Sequence, residues 1–327
     1  MHAKKSPSVS VILPTHNRPA LLVEALSSVI TQTVDDWEII VVDDASNPPV
    51  VVVEDLSACG TIITVRNDSS NGGAASKAKG ITMSSGEIVA FLDDDDLFHP
   101  EFLQSALAVF EQHPEIDVLF MGVDWFGSNA KVEAEGHQSA VARVFSIAQP
   151  VEVEPGLWAF DHRLLAALLR TVPMCFQRPV VRRNALNGIG VHRADCLLWD
   201  CDWALRAALH SRCALLNLPL YRQRVDGQGY HSLPERVIAQ LRSGAEMTLR
   251  LYRNPPAGTT AQEVELLREG ASRYAFDLAY NLSRQGSLKE ALKSWIDSQQ
   301  IAPNVRRLKF PFGALARSLT RVLKLSR

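Results

Sequence analysis

An apolar run that ends in four aspartates is the feature that most constrains the fold of this 327-residue chain. Residues 87–92, with the sequence EIVAFL, are rich in β-branched and aromatic types, which is typical of a strand buried in a parallel sheet. Asp93, Asp94, Asp95 and Asp96 follow at once. Adjacent carboxylates resist joint ionisation unless a cation neutralises them. The stretch therefore predicts either a divalent cation site or a solvated acidic turn that leads into a helix.

The spacing of these aspartates favours the cation site. In an extended segment alternate side chains share a face, so Asp93 and Asp95 are predicted to point together while Asp94 points away. Two carboxylates so placed are ligands for Mg²⁺ or Mn²⁺, which keep their remaining positions for waters and phosphate oxygens.

Three earlier apolar runs alternate with segments of helical spacing, which predicts an α/β fold with a mostly parallel sheet. The runs are residues 8–13, 38–42 and 61–65. Polar segments follow the strands, namely residues 14–17, Asp43 with Asp44, and residues 71–73. Ligands of parallel sheets bind at the carboxyl ends of the strands, so these segments and the four aspartates are expected to form one site.

Composition excludes several classes of protein. The formal net charge of −2 offers no basic surplus for nucleic acid. The five cysteines are scattered and odd in number, and none forms a CxxC pair, so we expect reduced thiols in a cytoplasmic protein. No apolar segment suits a signal peptide or a membrane span, and neither is expected.

Three stretches carry a resemblance to a known family. They read VSVILPTHNRPALLVEALSSVITQT, WEIIVVDDAS and GEIVAFLDDDDLFHPEFL, and together they cover most of residues 9–103. In order and spacing they resemble the inverting family 2 glycosyltransferases of GT-A fold. The resemblance implies a Rossmann-like, mostly parallel sheet flanked by helices, with a C-terminal helical extension. It also implies a nucleotide-diphosphate sugar donor, an acceptor hydroxyl, and Mn²⁺ or Mg²⁺ as cofactor.

The resemblance assigns roles to the first loop and to the acidic stretch. Pro14, Thr15 and His16 would line the base pocket, where His16 would stack on the base or serve only as a loop histidine. Asp44 would accept a hydrogen bond from the base, which favours a UDP- or dTDP-linked donor, whereas Asp43 is expected to cap a turn.

In the acidic stretch, the resemblance places Asp94 near the ribose, and Asp93 and Asp95 near the metal, with Asp95 as the first choice of metal ligand. The family usually shows an Arg-Asn pair where this chain has Lys77 and Ala78. Lys77 is therefore expected either to meet phosphate as a point charge or to be a solvated surface lysine.

A second acidic segment lies at residues 199–206, where apolar spacing predicts a buried helix face. It resembles the family's motif of a glutamate followed by the aspartate that acts as general base. Asp200 takes the place of the base, and its alternative is a helix-capping role. Trp199 replaces the glutamate and is a candidate for stacking on the acceptor sugar, whereas Asp202 is expected to be structural.

The remaining segments complete the predicted organisation. Residues 127–156 are polar and weakly patterned, which predicts a variable loop or hairpin near the acceptor. Residues 216–232 resemble the family's closing strand and flexible loop, from which Arg222 and His231 would reach the diphosphate. We predict a nucleotide-sugar-binding half at residues 1–125, an acceptor-binding half at 126–233 and a helical extension at 234–327.

The end of the chain is basic and acid-free after Pro303. From Gly313 on, the spacing predicts an amphipathic helix, which would bind anionic lipid at the inner face of the plasma membrane or dock on protein.

The sequence thus predicts metal-dependent, inverting transfer of a sugar to a glycan or glycolipid acceptor. The alternatives are a sugar nucleotidyltransferase and a non-catalytic glycan- or lipid-associated module of the same fold.

Overall fold

The computed structural model describes residues 7–52, 60–226, 236–308 and 310. The chain divides into two compact units, one of Met1–Asp195 with Trp199–Gly229, and a second of Cys196–Leu198 with Tyr230–Arg327. The predicted boundary at residue 233 lies outside the described residues, and the one at residue 125 falls within a strand, so both halves of the first unit share one sheet.

Ten strands of the described residues form the sheet of the first unit. They are β1 Val9–Thr15, β2 Trp37–Asp43, β3 Thr61–Arg66, β4 Ile88–Phe91, β5 Leu97–Phe98, β6 Val118–Phe126, β7 Val151–Glu154, β8 Leu157–Ala159, β9 Pro179–Arg182 and β10 Cys213–Arg224. The order is β3-β2-β1-β4-β9-β6-β10-β8-β7, with β5 paired to β10.

Parallel pairing dominates the amino-terminal half of this sheet, as predicted. Strand β1 pairs in parallel with β2 on one side and with β4 on the other, and β2 pairs in parallel with β3. Strand β9 runs antiparallel between β4 and β6. Because the strand order switches direction at β1, the carboxyl ends of β1 and β4 are where a ligand crevice is expected.

Seven helices among the described residues belong to this unit. They are α1 Pro19–Ile30, α2 Gly72–Met83, α3 Phe102–Gln112, α4 Ala130–Ala148, α5 Arg163–Leu168, α6 Leu186–Ile189 and α7 Trp199–His210. Helix α1 illustrates why they form: Pro19 suits the first turn, and Leu22, Ala25, Leu26 and Val29 bury one face against the core.

The prediction of a loop or hairpin over residues 127–156 was wrong for most of its length. Residues Ala130–Ala148 form helix α4, and only the hairpin of β7 and β8 follows the expectation. The helix buries only Val144 and Ala148, so its sequence shows little apolar periodicity. Its alanines and glutamates are nevertheless good helix formers, a signal that pattern analysis alone overlooked.

Helix α2 packs closely on the sheet because it contains a glycine at the point of contact. A Cβ atom on Gly80 would lie only 2.3 Å from Cγ2 of Ile12 in β1. Lys77, which lies three residues earlier in the same helix, is thereby brought down towards the strand ends and is almost fully buried.

The second unit contains the predicted C-terminal helices, α8 Val237–Arg253, α9 Ala261–Gln285 and α10 Leu288–Ile301. Thr260 and Glu263 form a reciprocal capping box at the start of α9, and Gly286, at φ 92°, ends it. None of the helices in the described ranges combines the length and apolar character that a membrane crossing requires. Gly313 and the basic segment after it lie outside the described residues.

Candidate active site

The first loop and the acidic stretch meet at the carboxyl ends of β1 and β4, as predicted. Thr15, the last residue of β1, donates a hydrogen bond of 2.7 Å from Oγ1 to Oδ2 of Asp94. Arg18 follows in the same loop and donates to Asp94 at 3.1 Å and to Asp95 at 2.9 Å. Arg18 was not among the predicted site residues.

The four aspartates form a turn, which differs from the extended geometry expected. The amide of Asp96 donates to the carbonyl of Asp93 at 3.1 Å, so the side chains do not alternate. Asp94 and Asp95 share Arg18, whereas Asp93 and Asp96 each lie 3.4 Å from Nη2 of Arg178. The prediction that Asp93 and Asp95 point together is therefore wrong, because the chain leaves the strand at Phe91.

Lys77 neutralises Asp93. Its ammonium lies 2.8 Å from Oδ1 of Asp93, 4.3 Å from the ring centroid of Trp199 and 5.9 Å from that of Phe91. The side chain is 2% exposed, so the alternative of a solvated surface lysine is excluded. Burial raises the pKa of Asp93, but Lys77 and Arg178 outweigh it and hold that pKa below its usual range.

The pKa of Asp96 is raised, whereas that of Asp93 is lowered. Asp96 accepts hydrogen bonds from the Tyr221 hydroxyl at 2.8 Å and from the Arg224 amide at 2.9 Å. Burial, with the charges of Asp93 and Asp95, outweighs the attraction of Arg178 and raises the pKa of Asp96 to about 7. Asp96 was predicted only as one of the four aspartates, and Arg178 and Tyr221 were not predicted, since only the fold brings the residue before β9 and a residue of β10 to this turn.

Asp200 lies in the first turn of α7 and faces the same cation. Its Oδ1 lies 3.9 Å from Nζ of Lys77 and 3.9 Å from Nε2 of His192. Burial raises the pKa of Asp200 to about 6, although Lys77 and Arg178 partly oppose the rise. The side chain is 18% exposed, which leaves it accessible to a ligand.

The neighbours of Asp200 in α7 have separate roles. Asp202 is fully buried and pairs with Arg206 at 2.9 Å, the structural role expected for it. The ammonium of Lys77 lies over the ring of Trp199 in a cation–π interaction, and the same ring also meets that of His192 edge to face.

Asp43 and Asp44 shape loops at the end of β2. Asp43 accepts from the Ser46 amide at 2.8 Å and pairs with Arg66, the turn-capping role expected for it. Asp44 accepts hydrogen bonds from four residues, Asn67, Ser70, Asn71 and Gly72, at 2.7–3.1 Å. Burial raises the pKa of Asp44, but these donors outweigh it and lower that pKa to about 2.

Asp44 is 4% exposed, and the contacts that the structure shows for it hold the loop ahead of α2. The direct contact with a base stays a prediction. His16 is exposed and hydrogen bonds through Nδ1 to the Asp44 carbonyl at 2.6 Å, so its ring lies at the rim beside Thr15. Pro14 is buried within β1.

Arg222, one of the two residues predicted to reach the diphosphate, does not contact the acidic turn in this structure. Arg222 lies 3.7 Å from Asp124 and over the ring of Phe126, whereas Arg224 donates to the Asp95 carbonyl at 2.9 Å. Side chains two positions apart on a strand share a face, and both arginines lie over the ring of Phe126, but only Arg224 contacts the acidic turn in this structure. His231 lies outside the described residues.

A divalent ion at the acidic turn needs a carboxylate that the protein's own cations leave accessible. Lys77 and Arg178 occupy one oxygen each of Asp93, which does not fit a ligand role. Asp95 is 39% exposed and meets Arg18 through Oδ2, so it fits as one protein ligand beside waters and phosphate oxygens. The described part of the chain contains no group of three or more His, Cys, Asp or Glu side chains suited to a metal.

Residues 10–152 match the family model for glycosyl transferase family 2. An uncharacterized glycosyltransferase of Haemophilus influenzae is 40% identical over 112 residues, which are 34% of this chain and 37% of that protein. The putative colanic acid biosynthesis glycosyl transferase WcaA of Escherichia coli is 32% identical over 114 residues, which are 34% of this chain and 39% of that protein. The match thus spans less than two fifths of either relative.

Among solved structures, S. aureus TarS 1-349 in complex with UDP-GlcNAc superposes with a TM-score of 0.64 at 19% identity. The superposition covers 96% of this chain and 88% of TarS 1-349. At this identity the likeness concerns the fold alone, and with the family match it confirms the predicted GT-A fold.

Proposed function

We propose, from the match of residues 10–152 to the family model for glycosyl transferase family 2, that the protein transfers a sugar from a nucleotide-diphosphate sugar to an acceptor hydroxyl. One observation carries the proposal. The ammonium of Lys77 lies 2.8 Å from Asp93, at the strand ends where a donor is expected, and 3.9 Å from Asp200. Asp93, at the expected donor site, and Asp200, whose pKa is raised, thus both face the buried ammonium of Lys77.

In the proposed reaction Asp200 is the general base. A carboxylate whose pKa is about 6 is ionised near neutral pH, yet it binds a proton more strongly than an ordinary aspartate does. The acceptor oxygen bonds to the anomeric carbon, the bond to the diphosphate oxygen breaks, and the acceptor proton moves to Asp200. A single in-line displacement inverts the anomeric configuration, so an α-linked donor gives a β-linked product.

Three cationic side chains lie around the acidic turn, where charge would develop on the diphosphate. Lys77 and Arg178 lie behind Asp93, and Arg18 is half-exposed at the rim. Asp95 would hold Mg²⁺ or Mn²⁺, which when bound neutralises charge on the leaving diphosphate. Thr15 and His16 would lie beside the base and Asp94 near the ribose.

The donor is proposed to be UDP- or dTDP-linked. UDP-GlcNAc bound to TarS, whose fold this chain shares, supports a uridine donor. The likeness to WcaA, a putative colanic acid biosynthesis enzyme, supports an acceptor in surface polysaccharide or glycolipid synthesis. The basic sequence after Pro303 supports peripheral contact with anionic lipid at the cytoplasmic face of the membrane.

The proposal is tested by incubating the full chain with a panel of UDP- and dTDP-sugars, with and without Mn²⁺ or Mg²⁺, and measuring release of nucleoside diphosphate. We expect slow, metal-dependent hydrolysis of one donor, and NMR of the transfer product should show an inverted anomeric centre. Binding of UDP without release from any donor would favour the non-catalytic module, and release of pyrophosphate from a triphosphate would favour the nucleotidyltransferase.

The metal assignment has its own test in calorimetry with Mn²⁺ and UDP. Asp95→Asn should weaken Mn²⁺ binding at least about tenfold because it removes the charge of the protein ligand. Asp68→Asn, at an exposed position, is the matched control and should bind as the wild type does. Equal Mn²⁺ affinity in Asp95→Asn and wild type would contradict the assignment.

A further inference from the structure

His192 is a buried histidine beside the proposed base. It follows helix α6, and its ring stacks on Trp203 at 5.6 Å between centroids and meets Trp199 and Phe91 edge to face at 5.2 and 5.0 Å. The residue is 3% exposed. Three aromatic rings thus hold the imidazole in one orientation, which packing alone would also produce for a phenylalanine.

Two buried polar atoms in this place distinguish the histidine from a packing residue. Within the described residues, Nδ1 of His192 and Oδ1 of Asp200 both lack a hydrogen-bond partner. Nε2 of His192 lies 3.9 Å from that same Oδ1, just beyond hydrogen-bond distance. Leaving a buried polar atom unpaired is unfavourable, so a small rotation that brings Nε2 within hydrogen-bond distance of Oδ1 of Asp200 would be favourable for that oxygen.

The imidazole is neutral in this environment. Burial, together with the positive charges of Lys77 and Arg206, lowers the pKa of His192 well below its ordinary value, and Asp93 only partly opposes this. A neutral imidazole carries one proton, and its partner decides which nitrogen holds it. Since Nε2 faces a carboxylate oxygen, the favoured tautomer has the proton on Nε2 and a lone pair on Nδ1.

We propose that His192 is a positioning residue for the base, with its Nε2–H directed at Oδ1 of Asp200. A hydrogen bond there fixes the rotation of the carboxylate and leaves Oδ2 for the proton of the acceptor hydroxyl. His192 itself exchanges no proton in the transfer. This inference rests on the proposed function, and it adds a residue whose place in the sequence carries no motif signal.

Two substitutions separate positioning from packing. His192→Phe keeps an aromatic ring among the three neighbours but removes both nitrogens. His192→Gln removes the ring and keeps an amide N–H close to the place of Nε2. We compare UDP release from UDP-GlcNAc and UDP binding by calorimetry, after thermal melts show that each variant folds.

The expected result for His192→Phe is a kcat lower by roughly 10- to 100-fold, the scale of a misoriented catalytic group, with unchanged UDP affinity. His192→Gln should recover most of the loss, to within about threefold of wild type. A wild-type kcat in the phenylalanine variant would overturn the proposal. So would a glutamine variant as slow as the phenylalanine variant, since an N–H at the place of Nε2 would then not restore the rate.

A spectroscopic test needs no turnover. In ¹⁵N-histidine-labelled protein, the resonances lost in His192→Gln identify His192 and report its tautomer. We expect the Nε2–H form from pH 6 to 8, with a shift of the Nε2 resonance in Asp200→Asn. An Nδ1–H form, or no response to Asp200→Asn, would overturn the positioning role. If no donor is hydrolysed while these signals are as expected, the proposed function fails and the His192–Asp200 contact stands.

Discussion

Asp44 and Asp200 are largely buried carboxylates of the same unit whose pKa values are shifted in opposite directions. Asp44 accepts hydrogen bonds from four residues, and its pKa is lowered to about 2. Asp200 has an oxygen without a hydrogen-bond partner among the described residues, and burial raises its pKa to about 6. Hydrogen bonds outweigh burial at Asp44 and burial outweighs nearby cations at Asp200, so the first carboxylate maintains a loop and the second retains affinity for a proton.

Burial by itself therefore does not identify a reactive acid, because these two carboxylates have opposite pKa shifts. Asp44 follows strand β2 and Asp200 lies in the first turn of α7, and the sequence offers no direct measure of how many donors surround each. What separates them is whether the surrounding amides and side chains satisfy the ionised form.

We expect the largest effect on activity from the removal of the proposed base, Asp200. Asp200→Asn keeps the shape of the side chain but cannot take a proton, so we expect kcat for UDP release to fall by about 10²–10⁴-fold. UDP affinity, measured by calorimetry, should change little. A large loss of UDP affinity instead would place Asp200 in the donor pocket.

Lys77→Met tests the contribution of the buried ammonium that lies between Asp93 and Asp200. This change leaves Asp93 without its closest partner in a largely buried place and should lower the free energy of unfolding by about 3 kcal/mol. Urea denaturation measures the effect, and Lys131→Met, on the exposed face of α4, is the matched control. A loss no greater than that of the control would show that the ammonium is dispensable for stability.

Asp44→Asn tests the structural carboxylate. The pKa of Asp44 is about 2 in the folded chain, below its ordinary value of 3.8, so ionisation favours folding by about 2 kcal/mol above pH 4. The variant should lose this amount at pH 7, and its deficit should shrink as the pH falls from 4 towards 2. A deficit independent of pH would mean that the charge is not what holds the loop.

The smallest expected effect is the pH dependence of the wild type. Because the base must be ionised and the pKa of Asp200 is about 6, kcat should rise with pH and level off above 7. At pH 5 it should be about one tenth of the plateau, since each unit below the pKa costs about tenfold in ionised base. A flat profile from pH 5 to 8 would contradict the assignment of the base.

Much of the fold was accessible from the sequence because long apolar runs and helical spacing report burial directly. The strands of residues 9–15, 37–43, 61–66 and 88–91 and the helices of the second unit follow their patterns. Helix α4 was missed because a helix that buries two residues has almost no periodicity to detect. Thr15, Lys77, Asp93 and Asp200 were predicted as site residues through the resemblance, and the structure brings them to one region.

By itself the sequence determined the class of fold and the segments that supply the site, since the order of strands and loops is local information. Only the tertiary structure decided which polar groups meet: Arg178 and Tyr221 reach Asp96 from 82 and 125 residues further along the chain. It also decided that Asp93 faces the cations of the protein and that His192 lies beside Asp200. Likewise, only the fold gives Asp44 hydrogen-bond donors on both carboxylate oxygens. The physical reason is that a carboxylate's pKa and contacts depend on distance and burial in three dimensions, which residue spacing along the chain does not specify.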